Sequence, residues 1–317
     1  MTISSANDMG PDLRIPGVAL AGDVYIPQLG LGTDRVPPED TAGAISRALA
    51  AGYRHIDTAH VYGNEMEIGR AIRASGLNRS RIFVTTKCSN DHHGYARAMR
   101  ALKQSLRRLR VDQVDLYLIH WPVPSRDLYV ETWQALVEAQ RAGLVRAIGV
   151  SNFQIEHLRR IADETGVTPA VNQIELHPNF QQPALRREHA RRGIVTQAWS
   201  PLTLGMILSH PAIVSIANEH RRTPAQVVLR WHIALGNVVF PKSVTTQHMR
   251  ENIRVFDFDL SNEDMERIAA LDQGKRIGPD PDQLVPNPPL PRWRRARVSI
   301  GAVRRRAAAR FRSRVRG

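Results

Sequence analysis

Residues 81–121, RIFVTTKCSNDHHGYARAMRALKQSLRRLRVDQVDLYLIHW, decide the fold. They open on a short apolar run, RIFVTTK, and turn through polar residues. A helical stretch follows, 94–110, in which Ala98, Leu102, Leu106 and Leu109 fall on one face. They close on a second apolar run, VDLYLIHW. Apolar runs of this length, bounded by polar or Gly/Pro stretches, are the pattern of strands buried on both faces in a parallel sheet. The same alternation continues on either side. Upstream lie LGLGT (29–33) and RHIDTA (54–59), with a helical pattern over 39–51 that stops at Gly52. Downstream lie RAIGVSN (146–152), AVNQIEL (170–176), IVTQAWS (194–200) and NVVFPKS (237–243). Helical patterns over 127–142 and 154–165 stop at Gly143 and Gly166, and one over 223–235 opens on the cap Thr223-Pro224. Eight strands alternating with helices predict an α/β protein, a (β/α)8 TIM barrel. The competing doubly wound open sheet lacks its expected GxGxxG after the first strand. Ahead of the barrel, VALAGDVYIP (18–27) predicts a β-hairpin turning at Gly22-Asp23.

Composition narrows the function classes. The net charge of +14 is uneven: residues 283–317 hold 11 Arg and no acid, leaving 33 basic and 30 acidic residues in 1–282. The body is electrostatically ordinary, so the high isoelectric point does not mark the whole chain as a nucleic-acid binder. The single cysteine, Cys88, excludes a disulfide framework and suits a reducing compartment. No apolar run is long enough to span a bilayer, and the first 17 residues lack a signal-peptide pattern, so a cytoplasmic location is expected.

Barrel chemistry gathers where strands end on the C-terminal face. The polar residues closing the apolar runs are Asp57, Lys87, His120, Ser151-Asn152, Gln173, Trp199 and Lys242-Ser243. An acid, a cation and an imidazole would there share one mouth. The run Cys88-Ser89-Asn90-Asp91-His92-His93 offers metal-type ligands, but no second cluster completes a site, so no metal is expected and the segment reads as a polar loop bordering the entrance.

Seven ordered stretches, GYRHIDTAHVYGNE (52–65), VTTK (84–87), LIHWP (118–122), IGVSNF (148–153), NQIELHP (172–178), SPL (200–202) and PKSV (241–244), resemble the aldo-keto reductases, nearest the short bacterial 2,5-diketo-gluconate reductase type. The resemblance spans about residues 15–283. It implies a catalytic tetrad of Asp57, Tyr62, Lys87 and His120, with Tyr62 as proton donor. A phenol holds its proton at neutral pH, a neighbouring cation stabilises the phenolate as the proton leaves, and a neutral imidazole orients the carbonyl oxygen. It implies NADPH as hydride source. Gly32, Thr33, Ser151, Asn152, Gln173, Trp199, Ser200, Pro201 and Leu202 would lie along the coenzyme, and Trp199 would stack on the nicotinamide. Lys242, Ser243, Val244, His248 and Asn252 would serve its adenosine phosphate at the helix opening near Thr245.

Three departures from the family pattern bear on specificity. Asp34 and Ser89 stand where aromatics are usual, implying a polar, open substrate pocket whose remaining aromatic wall is Trp121. His248 replaces the usual arginine, implying a weaker NADPH preference and admitting NADH. The expected activity is reduction of aldehydes or ketones, small dicarbonyls and keto sugars among them, by a monomer. A different class of reading is a nucleotide-binding barrel that recruits partners or senses redox state with little turnover. Two segments are expected: a reductase barrel over 1–282 and a Pro/Arg-rich tail over 283–317. The tail reads as disordered or as a short basic amphipathic helix with weak affinity for anionic membranes or nucleic acid.

Overall fold

The computed structural model describes residues 15–20, 23–243 and 245–284. Two short strands, β1 (Gly17–Ala19) and β2 (Tyr25–Pro27), pair antiparallel as the expected hairpin. The Leu20 N–H donates to the Val24 carbonyl at 2.7 Å; of the two expected turn residues, Gly22 lies outside the described residues. Asp23 is left-handed, at φ 50°.

All eight expected barrel strands form, in sequence order and all parallel. They are β3 (Leu31–Gly32), β4 (His55–Asp57), β5 (Phe83–Cys88), β6 (Val114–Ile119), β7 (Val145–Ser151), β8 (Val171–Glu175), β9 (Val195–Trp199) and β10 (Val238–Val239). A parallel bridge between Leu29 and Val239 closes the first strand onto the last. Two backbone bonds make that seam: Gly30 N to Val239 O at 2.8 Å and Val239 N to Gln28 O at 2.9 Å. Gly32 has no room for a side chain, because a Cβ there would sit 2.8 Å from the Phe240 carbonyl oxygen. This closure excludes the open sheet.

Six helices each follow one strand: α1 (Pro38–Ala50), α2 (Glu65–Ala74), α3 (Tyr95–Leu109), α4 (Tyr129–Arg141), α5 (Ile155–Thr165) and α6 (Pro183–Arg192). Both α7 (Pro211–Glu219) and α8 (Pro224–Ala234) lie between β9 and β10, and α9 (Thr246–Ile253) and α10 (Asn262–Ala269) complete the order. The helix signals work as written: Ala98, Leu102, Leu106 and Leu109 are buried, Gly166 caps α5 at φ 71°, and Thr223 caps α8 through the Gln226 N–H. A small apolar cluster joins hairpin residues Leu20, Val24 and Ile26 to Phe83, the first residue of β5, and to Val171, the first of β8. The hairpin thus plugs the end where strands begin and leaves the other end for chemistry.

Candidate active site

Four of the expected residues meet at the open end. Asp57 ends β4, Lys87 lies near the end of β5, His120 directly follows β6, and Tyr62 ends a 3₁₀ turn, His60–Tyr62. Lys87 is fully buried. Its Nζ donates to Asp57 Oδ1 at 2.5 Å and to the Thr58 carbonyl at 2.9 Å, and stands 5.2 Å from the centre of the Tyr62 ring. The Tyr62 and His120 rings lie 5.8 Å apart, edge to face.

The electrostatics follow from this packing. Burial opposes the Lys87 cation, but the Asp57 carboxylate and the Tyr62 phenol outweigh it, so the Lys87 pKa lies above its ordinary value. Burial also raises the Tyr62 phenol, only partly offset by Lys87. His120 is pushed down to about 3, first by burial, then by Lys87 and His93, so its imidazole is neutral at physiological pH.

A cavity of about 640 Å³ opens above this group. Of the expected residues, Gly32, Asp34, Asp57, Tyr62, His120, Trp121, Ser151, Asn152, Gln173, Trp199, Ser200, Pro201, Leu202 and Lys242 line it. The Trp199 indole is fixed by its Nε1–H, which donates to Asn152 Oδ1 at 2.8 Å. Asn152 Nδ2 donates in turn to the His120 carbonyl and to Ser151 Oγ, both at 3.0 Å, and Ser151 Oγ donates to the Gln173 carbonyl at 2.9 Å. The donors of Ser151 and Asn152 are therefore used within the protein. What they offer a ligand is acceptor oxygens.

Other expected residues lie off the cavity wall. Thr33 is buried, its Oγ1 donating to the Asp57 carbonyl at 2.9 Å, so it ties β3 to β4. Ser89 is buried too, and its Oγ is held 2.7 Å from His92 Nδ1. The chain enters a 3₁₀ turn, Asn90–His92, directly after Ser89, and this turns its side chain into the loop. Asp91, His92 and His93 are likewise absent from the lining. Ser243 lies buried just before α9, Asn252 is buried in α9 beside Tyr53, and His248 is exposed in the first turn of α9. Val244 and the tail beyond residue 284 lie outside the described residues. Among the described residues, no three His, Cys, Asp or Glu side chains group as a metal site, and no helix is long and apolar enough to cross a membrane.

Sequence reasoning missed part of the wall: Arg35, Leu204, Gly205, Phe240, Pro241 and Ile277–Pro279 also line the cavity. The last segment is pinned by Glu175, which closes β8. Its carboxylate accepts from the Ile277 N–H at 2.6 Å, the Gly278 N–H at 3.0 Å and His177 Nε2 at 3.1 Å. The GPDP run that begins at Gly278 carries no local sign of its partner, about a hundred residues earlier.

The profile described as "Aldo/keto reductase family" matches residues 27–273. An aldo-keto reductase of Mycobacterium sp. (strain KMS) is 53% identical over 266 residues, covering 84% of this chain and 96% of that protein. The methylglyoxal reductase DkgA of Escherichia coli (strain K12) is 50% identical over 261 residues, covering 82% and 94%. Among solved structures, a mutant of Gox0644 in complex with NADPH is 46% identical and superposes with a TM-score of 0.83, covering 86% of this chain and 99% of that one.

Proposed function

The chain belongs to the aldo/keto reductase family, and from that premise we propose that its barrel mouth reduces small polar carbonyl compounds to alcohols with NADPH. The observation that carries the reading is the convergence of Asp57, Tyr62 and His120 on a cavity walled on one side by Trp199, with Lys87 buried behind them against Asp57 and the Tyr62 ring. The cavity fits the coenzyme. A fixed indole offers a stacking face, and Asn152, Ser151 and Gln173 place acceptors beside it for a carboxamide NH2. Ser200, the Leu202 backbone and Lys242 would hold its phosphates, with Pro201 shaping the wall between them. Bound there, NADPH supplies the hydride.

This chain's residues do the rest. Neutral His120 donates a hydrogen bond to the substrate oxygen and holds it toward Tyr62. The Tyr62 hydroxyl keeps its proton until negative charge develops on that oxygen, then transfers it as the carbonyl carbon becomes C–H. Lys87, 5.2 Å from the ring centre, stabilises the phenolate left behind. Asp57 fixes Lys87 and balances its charge.

Asp34 and Trp121 face the substrate side, beside the unforeseen Phe240 and Ile277. Such a mixed wall suits small dicarbonyls and keto sugars, and the DkgA relative's name specifies methylglyoxal reduction. His248 in place of arginine narrows the preference for NADPH without abolishing it, so NADH is also used. The test is NADPH consumption with methylglyoxal and a panel of keto sugars and aromatic aldehydes. Turnover of the polar carbonyls supports the reading, and binding of NADPH without turnover of any compound overturns it.

A further inference from the structure

A chain of buried side chains crosses the barrel interior below the cavity. Lys87 bonds Asp57 Oδ1, Gln173 Nε2 donates to Asp57 Oδ2 at 2.8 Å, and the same Nε2 donates to Gln197 Oε1 at 3.0 Å. Gln173 and Gln197 are register partners on β8 and β9, and both are buried. Two neighbours constrain the orientation of the Gln173 amide. Asp57 as a carboxylate can only accept, so the nitrogen of Gln173 faces it and the oxygen faces away. Gln197 reinforces that choice by presenting an acceptor to the same nitrogen. Its own Nε2 is left buried without a partner, a cost the fold accepts in order to present the oxygen.

We infer that Gln197 is a positioning residue: by accepting from Gln173 Nε2 it holds the Gln173 amide with its nitrogen on Asp57 and its oxygen on the cavity side. The nicotinamide end of the cavity, which both Gln173 and Asn152 line, is then furnished with acceptors. A ligand group that donates two hydrogens in one plane, as a carboxamide NH2 does, is recognised. One that only accepts is not. The same bond couples occupancy of the cavity to the Asp57–Lys87 pair through a single amide. This inference rests on the coenzyme reading above, and its test separates the two.

The experiment compares the wild type with Gln197→Met, which conserves volume and removes the acceptor, and Gln197→Glu, which keeps an acceptor oxygen. NADPH affinity is titrated directly, and solvent exchange of the Gln173 side-chain amide protons is followed by NMR in the coenzyme-free proteins. The expected result is faster Gln173 amide exchange in Gln197→Met and NADPH binding weakened by up to about tenfold, the scale of one neutral hydrogen bond. Gln197→Glu restores slow exchange and most of the affinity. Unchanged exchange and affinity in Gln197→Met overturn the inference, as does Gln197→Glu behaving no better than methionine. A wild type that binds no NADPH overturns the coenzyme reading instead. Should Gln197→Met fold poorly, Gln197→Leu provides the same comparison.

Discussion

His248 stands exposed in the first turn of α9, where the Thr245 hydroxyl accepts from its backbone N–H at 3.4 Å. An arginine there would meet a 2′-phosphate with a two-pronged, charge-assisted contact, whereas histidine is shorter and presents one donor. His248→Arg should therefore tighten NADPH by about 1–2 kcal/mol and leave NADH unchanged. Titration of both nucleotides against both proteins checks this, and equal gains for the two nucleotides would remove His248 from the phosphate side. At this scale the sequence was most informative where a polar residue closes an apolar run. Asp57, Lys87 and His120 could be picked out because a strand end in a barrel has one direction to face. Thr33 and Ser89 also follow apolar runs, yet each is captured by a neighbour, the Asp57 carbonyl and the His92 ring. Spacing carries no signal for that. Nor does it reveal that Ser151 and Asn152 spend their donors on the protein, which leaves acceptor oxygens as what they offer a ligand.

Among the elements, strands and capped helices were legible and the segment crossing the mouth was not. Apolar runs fix strands locally, and Gly166 or Thr223-Pro224 mark helix ends by their own chemistry. Helix α6 has only Leu185 and His189 buried, so it shows no stripe to read. The segment Ile277–Pro279 is placed by Glu175, through contacts 102 and 103 residues apart in sequence. Local patterns cannot encode such a pairing. The fit there is tight: a Cβ on Gly278 would lie 2.5 Å from the Trp199 ring and 2.9 Å from Glu175 Oε2. Gly278→Ala must displace either the segment or the indole. It should cost about 1–3 kcal/mol, the usual penalty of overpacking, and raise KM for the carbonyl substrate. Thermal melts and steady-state kinetics measure both, and a variant unchanged in melt and KM would show that the contact relaxes freely.

For the molecule as a whole, the barrel keeps several histidines neutral in its interior. His55, His120 and His232 are pushed down to about 3, and His93 and His189 to about 4, with burial the largest cause in each. In the unfolded chain these rings take up protons near the reference value of about 6.5, while the folded chain refuses them. Their contribution is thus fully present above that value and is lost as pH falls toward the folded values. Each histidine forfeits about 1.4 kcal/mol per pH unit over that window, so a descent from pH 7 to pH 5 removes about 2 kcal/mol from each. Several such losses approach the entire stability of an ordinary domain. The melting temperature should fall steeply between pH 6.5 and pH 5, and a flat profile over that range would contradict the burial of neutral rings.

In the proposed reaction Tyr62, set beside buried Lys87 and neutral His120, gives the proton while NADPH gives the hydride. Its most direct test is single-turnover reduction of methylglyoxal by Tyr62→Phe with NADPH binding titrated on the same preparation. The expected result is a rate at least about 100-fold below wild type, the contribution of general acid catalysis, with NADPH affinity retained. A Tyr62→Phe protein that binds NADPH and keeps more than a tenth of the wild-type rate would contradict it.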